Sequence, residues 1–150
     1  MKRVVVTGIG LVTPLGCGSK FNWSNLIAGR SGARNITRFD ASNFKCQVAC
    51  EVPQGNGDDG TFNADNWIEK KEIKKIDEFI KFALVAGEEA YKNSALEDLS
   101  DTSSFRAGCI IGSGMGGLPG IENTSLEFSN GKKISPFFIT GRIINMASGY

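Results

Sequence analysis

At 150 residues, with 41% hydrophobic and 22% charged side chains, the chain can bury a core and is too apolar to stay disordered. Lys plus Arg total 17 and Asp plus Glu 16, a net charge of +1, so no bulk attraction to nucleic acid or an anionic membrane is expected. No apolar run reaches the roughly 18 residues of a membrane helix, and a cytoplasmic protein is expected.

Val4-Val5-Val6 predicts a strand over residues 2 to 7, buried on both faces. Lys2 and Arg3 imitate the basic start of a signal peptide. However, Gly8, Gly10, Thr13 and Pro14 interrupt the apolar run, and no small-residue cleavage site follows cleanly. A turn-rich connection runs to Gly18. Ser19 is placed to cap a helix to about Ala28, with Trp23, Leu26 and Ile27 on its apolar side and Gly29 and Gly32 stopping it. Residues 44 to 52 read as a short or edge strand, followed by a Gly-, Asn- and Asp-rich loop from Pro53 to Gly60.

The strongest periodic signal predicts one long helix from about Asn66 to Asn93. Ile73, Ile76, Ile80, Ala83, Leu84, Gly87 and Ala90 recur at three- and four-residue steps. Arg106 to Ile111 predicts a second buried strand, and Gly112 to Gly117 a glycine-rich turn. Leu118 to Ser129 predicts a helix ended by Gly131, and Ile143 to Ser148 the start of another. Strands alternating with helices point to an α/β layered fold.

The chemistry legible in single residues is sparse. Gly112-Ser113-Gly114-Met115-Gly116-Gly117 fits G-x-G-x-x-G after a predicted strand. A dinucleotide site also needs an acidic residue roughly 20 positions on, at the end of a second strand. Phe137, Phe138 and Ile139 stand there instead, which favours a tight turn against a close neighbour. Cys17, Cys46, Cys50 and Cys109 form no CxxC pair and there is no histidine, so neither a metal site nor a Cys-His pair is expected. Inside its apolar run, Cys109 reads as a small buried hydrophobe. Lys70, Lys71, Lys74 and Lys75 lie at the start of the predicted long helix, where the helix dipole disfavours cations. They fit either a solvated face or a grip for an acidic partner.

Taken together, the segments resemble the β-ketoacyl-acyl carrier protein synthases. The resemblance is carried by residues 4 to 16 (Val-Val-Val-Thr-Gly-Ile-Gly-Leu-Val-Thr-Pro-Leu-Gly), Leu26 to Gly32, Arg38-Phe39-Asp40 and Ile76-Asp77-Glu78-Phe79. It continues through Ile111 to Gly117, Lys133 to Ile139 (Lys-Ile-Ser-Pro-Phe-Phe-Ile) and Ile143 to Gly149 (Ile-Ile-Asn-Met-Ala-Ser-Gly). It runs the length of the chain, in order, and is nearest to the synthase II type.

The resemblance implies an incomplete N-terminal half of a thiolase-like αβαβα fold, with residues 1–150 as the first part of the synthase N-terminal domain. It implies decarboxylative condensation of acyl and malonyl-acyl carrier protein in fatty acid elongation, with no metal or nucleotide cofactor. A homodimer is implied, with acyl carrier protein as partner and neither nucleic acid nor membrane. By the resemblance, the acyl-accepting cysteine lies shortly after the Asn-Met-Ala-Ser-Gly segment and two histidines much later. These residues are therefore expected to hold no catalytic group and to be inactive alone. Met115 is implied to line and gate the acyl pocket, and Phe138 and Ile139 to contribute to that pocket and to the dimer contact. Lys71, Lys74 and Lys75 are implied to dock the acidic carrier. The alternatives are a non-catalytic binding module using the lysine face, and a nucleotide-binding domain resting on the glycine pattern.

Overall fold

The computed structural model describes residues 3–96 and 101–150. Its organising element is the helix Glu78–Asn93, labelled α3. In chain order, β1 (Val12–Thr13) and β2 (Gly16–Cys17) form a hairpin, followed by α1 (Ser19–Ile27). β3 (Arg34–Asn35) pairs antiparallel with β4 (Val48–Ala49). A 3₁₀ turn (Ala64–Asn66), α2 (Lys70–Ile73), α3 (Glu78–Asn93), α4 (Asp101–Ser104), α5 (Leu118–Ser129) and α6 (Met146–Gly149) follow.

The expected long helix is broken in two. Lys74 and Lys75 form a turn, and Asp77 is extended, at φ −80° and ψ 168°. The cause is tertiary. The Asp77 amide donates to the Gly141 carbonyl at 3.0 Å instead of continuing a helical ladder. The Asp77 carboxylate accepts the Glu78 amide at 2.8 Å, capping α3. The expected apolar stripe survives only in part: Ile76 and Ile80 are buried and Gly87 is exposed, while Val85, outside the stripe, is buried. Val85 meets Cys17 and Phe62 in the core, and Phe62 stands edge-on to Phe82 at 4.9 Å.

α1 begins and ends where expected, but its cap and its buried face are not those expected. Ser19 is the first helical residue, not the cap. Its amide and hydroxyl both donate to Glu89 Oε1 of α3, at 2.7 and 2.8 Å. Glu89 Oε2 also takes the Leu11 amide at 2.9 Å, so a carboxylate from another helix fills the cap. The inward face of α1 is polar. Asn22 is buried, donating to the Gly16 and Gly18 carbonyls and accepting from Thr13 Oγ1. Trp23, Leu26 and Ile27 are exposed; Trp23 and Leu26 line an open apolar cleft of about 800 Å³ with Leu11, Pro14 and Leu15.

Neither buried strand forms among the described residues. Residues 3 to 10 and 107 to 113 belong to no ladder, and Val4 and Ile110 are 93% and 98% exposed. Cys109 is likewise exposed rather than a buried hydrophobe. A strand exists only by pairing, and a parallel strand needs neighbours on its edges. The two segments nevertheless flank α3. Val6, Thr7, Gly8, Gly108, Cys109 and Ile111 line one hollow of about 730 Å³ with Leu84, Gly87 and Ala147. Gly8 and Gly10 lie directly on the helix: a methyl group there would stand 2.1 Å from the Ala90 carbonyl oxygen and 1.9 Å from that of Ala86. Only glycine fits such an approach.

Candidate functional site

The lysine run sits on α2 and the turn after it, not on the N-terminus of a long helix, so the dipole conflict expected from the sequence does not arise. α3 itself is conventionally charged, with Asp77 and Glu78 at its start and Lys92 in its last turn. Lys74 is exposed and forms no ion pair among the described residues. Lys71 is exposed and 2.7 Å from Glu69. Lys75 is turned inward. Its Nζ is 2.6 Å from Glu72 Oε1 and 5.0 Å from the centre of the Phe137 ring. The exposed cationic face is therefore Lys70, Lys71 and Lys74, with Lys75 joining that face to the Phe137 segment.

Beyond the break, three segments meet at Asp77. The first turn of α5 brings Gly120, whose amide donates to Asp77 Oδ2 at 3.2 Å. The segment before α6 brings Arg142, whose Nε lies 3.5 Å from that same oxygen. Arg142 Nη1 donates to the Gly141 carbonyl at 3.0 Å and to the Lys75 carbonyl at 3.4 Å. The Arg142 carbonyl accepts the Gly117 amide at 2.9 Å, which pins the end of the glycine turn. Nothing in the sequence singled out Arg142; its distant partners Gly117, Asp77 and Lys75 are 25, 65 and 67 positions away.

Met115 lies in this turn and is 73% exposed, next to Gly116, which has φ +69°. A methyl at Gly116 would stand 2.6 Å from the Arg142 carbonyl oxygen, and one at Gly112 or Gly114 would meet nothing within 4 Å. The close neighbour expected for the glycine pattern is thus the segment around Arg142, met at the pattern's end. Phe138 is half-buried and Ile139 exposed. The Ile139 carbonyl accepts the Arg142 amide at 3.0 Å and the Ile143 amide at 3.2 Å. The structure thus gathers the lysine run, the Met115 turn and the Phe138–Ile139 segment around one corner.

A second tie joins two of the sequence segments singled out above. Arg38 makes a two-pronged contact with Glu78, Nη1 to Oε2 at 2.5 Å and Nη2 to Oε1 at 2.9 Å. These bonds raise the guanidinium's pKa above its ordinary value. Gln54 also donates to Glu78 Oε1 at 3.2 Å. Arg38-Phe39-Asp40 is thereby anchored at the first residue of α3. Among the described residues no cluster of metal-ligating side chains occurs.

A family model, β-ketoacyl synthase N-terminal domain, matches residues 1–150. The chain belongs to the β-ketoacyl synthase family. It is 45% identical to the 3-oxoacyl-[acyl-carrier-protein] synthase 2 of Rhizobium meliloti, over 99% of this chain and 36% of the relative. It is 46% identical to the synthase of the same name from Coxiella burnetii, over 99% of this chain and 34% of the relative. The chain thus spans about a third of the length of these relatives. Among solved structures, the ishigamide ketosynthase/chain length factor superposes with a TM-score of 0.72 at 27% identity, covering 97% of this chain and 35% of that one. The fold is accordingly the thiolase-like α/β fold of the ketosynthases, of which this β-ketoacyl synthase chain represents a part.

Proposed function

We propose that these 150 residues serve as the N-terminal portion of a 3-oxoacyl-acyl carrier protein synthase, which condenses acyl and malonyl thioesters in fatty acid elongation. The supporting observation is the match of 99% of this chain to about a third of synthases of that name, at 45% and 46% identity. In this reading the chain contributes binding surfaces and no catalytic group. Lys71 and Lys74, with Lys70 beside them, present cations to the acidic carrier, and Lys75 holds the helix against Phe137. Met115, with Phe138 and Ile139, faces the acyl chain, and a flexible thioether suits a gate that must move aside. A homodimeric, cytoplasmic enzyme without metal or nucleotide completes the proposal.

The test is a chimera in which these residues replace the matching third of the Rhizobium meliloti synthase. Elongation of an acyl-carrier substrate by malonyl-carrier protein is expected, and a folded chimera without elongation would overturn the reading. Reversing charge at the exposed Lys70, Lys71 and Lys74 should weaken carrier binding by about 1–2 kcal/mol, since exposed pairs contribute roughly 0.2–1 kcal/mol each. The loss should shrink as salt rises. Unchanged affinity at low salt would remove the docking assignment.

A further inference from the structure

We infer that Arg142 is a positioning residue that links the turn after the carrier-facing helix α2, at Lys75, to the glycine turn bearing Met115. The inference deepens the proposed function and rests on it for what docks on α2 and what passes Met115; the linkage itself rests on geometry alone. Arg142 touches each part through a different atom. Its guanidinium holds the Lys75 carbonyl at 3.4 Å, at the end of the lysine run. Its carbonyl holds the Gly117 amide at 2.9 Å, two residues past Met115. Its amide is held by the Ile139 carbonyl at 3.0 Å.

The surroundings are shaped for this side chain. A methyl at Gly120 would stand 1.9 Å from Arg142 Nε and 2.5 Å from Asp77 Oδ2, and one at Gly117 would stand 2.5 Å from Asp77 Oδ2 and 2.8 Å from Arg142 Cδ. Two glycines one helical turn apart thus clear a channel for the Arg142 stem and the Asp77 carboxylate together. Asp77 lies at the end of that channel. Its carboxylate oxygens accept the Glu78 and Gly120 amides, which leaves Arg142 Nε near the charge, buried and without a hydrogen-bond partner. The Arg142 and Asp77 side chains are only 22% and 14% exposed, so their attraction is less screened than a surface pair's. An arginine held in this way reports movement of α2 to the turn: shifting the Lys75 carbonyl pulls on the same side chain whose backbone pins Gly117.

Three amides give a direct reading without any ligand: Asp77 to Gly141, Gly117 to Arg142, and Gly120 to Asp77. In hydrogen exchange on the purified chain all three should be protected. Arg142→Met should speed all three together, each by roughly fivefold, the effect of one lost hydrogen bond. Gly120→Ala, which crowds the guanidinium and leaves its charge, should release the same three. A core amide such as that of Val85 serves as the control for global unfolding. Release of Gly117 alone, independent changes at the three sites, or no protection in the parent would each overturn the linkage. In the synthase chimera, carrier protein titrated onto α2 should shift signals of Ser113 to Gly117 in the parent. In Arg142→Met it should bind α2 without that shift. Shifts that persist in Arg142→Met would overturn the inference, whereas a parent that binds no carrier counts against the proposed function and leaves the exchange test standing.

Discussion

The two ends of α3 solve one problem by different means. At each end a carboxylate of α3 serves the start of another helix: Glu89 takes the Ser19 amide of α1, and Asp77 takes the Gly120 amide of α5. The Glu89 end works by backbone contact, with Gly8 and Gly10 laid on the helix carbonyls and no cation paired with the carboxylate among the described residues. The Asp77 end has a backbone contact too, Gly141 against the Lys75 carbonyl, but adds a side-chain one, with Gly117 and Gly120 leaving room for Asp77 and Arg142. A backbone contact cannot yield to a mutation, whereas an arginine can swing aside. The Glu89 end is therefore the rigid support and the Asp77 end the adjustable one, and the candidate site is built on the adjustable end.

The largest break should come from Gly10→Ala. Its methyl would need to occupy space 1.9 Å from a helix carbonyl oxygen and 2.7 Å from the Ala90 amide nitrogen. Overpacking of this kind costs about 1–3 kcal/mol, and the rigid neighbour places it at the upper end. Gly120→Ala should cost less, because its closest clash is with the far part of a flexible side chain. Urea midpoints of the two variants measure this, and equal losses would remove the rigid-versus-adjustable distinction.

Glu89→Gln comes next. It keeps the shape but removes the anion that accepts the Leu11 amide and the Ser19 amide and hydroxyl. Bonds to a charged acceptor are worth about 1.5–3 kcal/mol, and retained neutral bonds should limit the loss to about 1 kcal/mol. Helical signal should fall at α1, while α5 amide protection stays. A loss at α5 instead would show that the two ends are not independent supports.

Thiol chemistry separates the packed centre from the unpaired segments. Burial, and secondarily the nearby Glu89 carboxylate, raise the Cys17 thiol's pKa, whereas Cys46, Cys50 and Cys109 are exposed. Iodoacetamide at mildly alkaline pH should label those three and spare Cys17. Protection of Cys109 would show that residues 107 to 113 are covered in solution.

The smallest effect belongs to the β3–β4 pair, away from both ends. Thr37 donates its hydroxyl and amide to Glu51, at 2.6 and 3.1 Å, and these bonds lower the Glu51 pKa. A depressed carboxylate stabilises the fold above its unfolded value, about 4.3, and that contribution fades as pH falls through the folded value. Thr37→Val should move the Glu51 titration upward, read by NMR, and flatten the acid dependence of β3–β4 protection. An unmoved titration would remove Thr37 as the cause.

What the linear pattern could show was local. Apolar spacing located two buried positions, Ile76 just before α3 and Ile80 within it, glycines marked the ends of α1 and α5, and the ordered set of family segments was enough to identify the fold and the family. The two buried strands were legible as apolar runs, but pairing is not written in a run, and neither Val4 nor Ile110 finds a partner among the described residues. The break at Asp77 was invisible because it depends on a carbonyl 64 positions away. The same holds for the cap on α1, supplied by Glu89 across 70 positions, for the convergence of Lys75 and Gly117 on Arg142, and for the Gly120 amide on Asp77. Propensity and periodicity act within a few residues, so by itself the sequence determined those local features and the family. Hydrogen bonds and steric clearance act between whatever the fold brings within about 3 Å. Tertiary structure therefore decided where the long helix stops, which lysines face outward, and why an arginine with no motif of its own stands at the centre of the site.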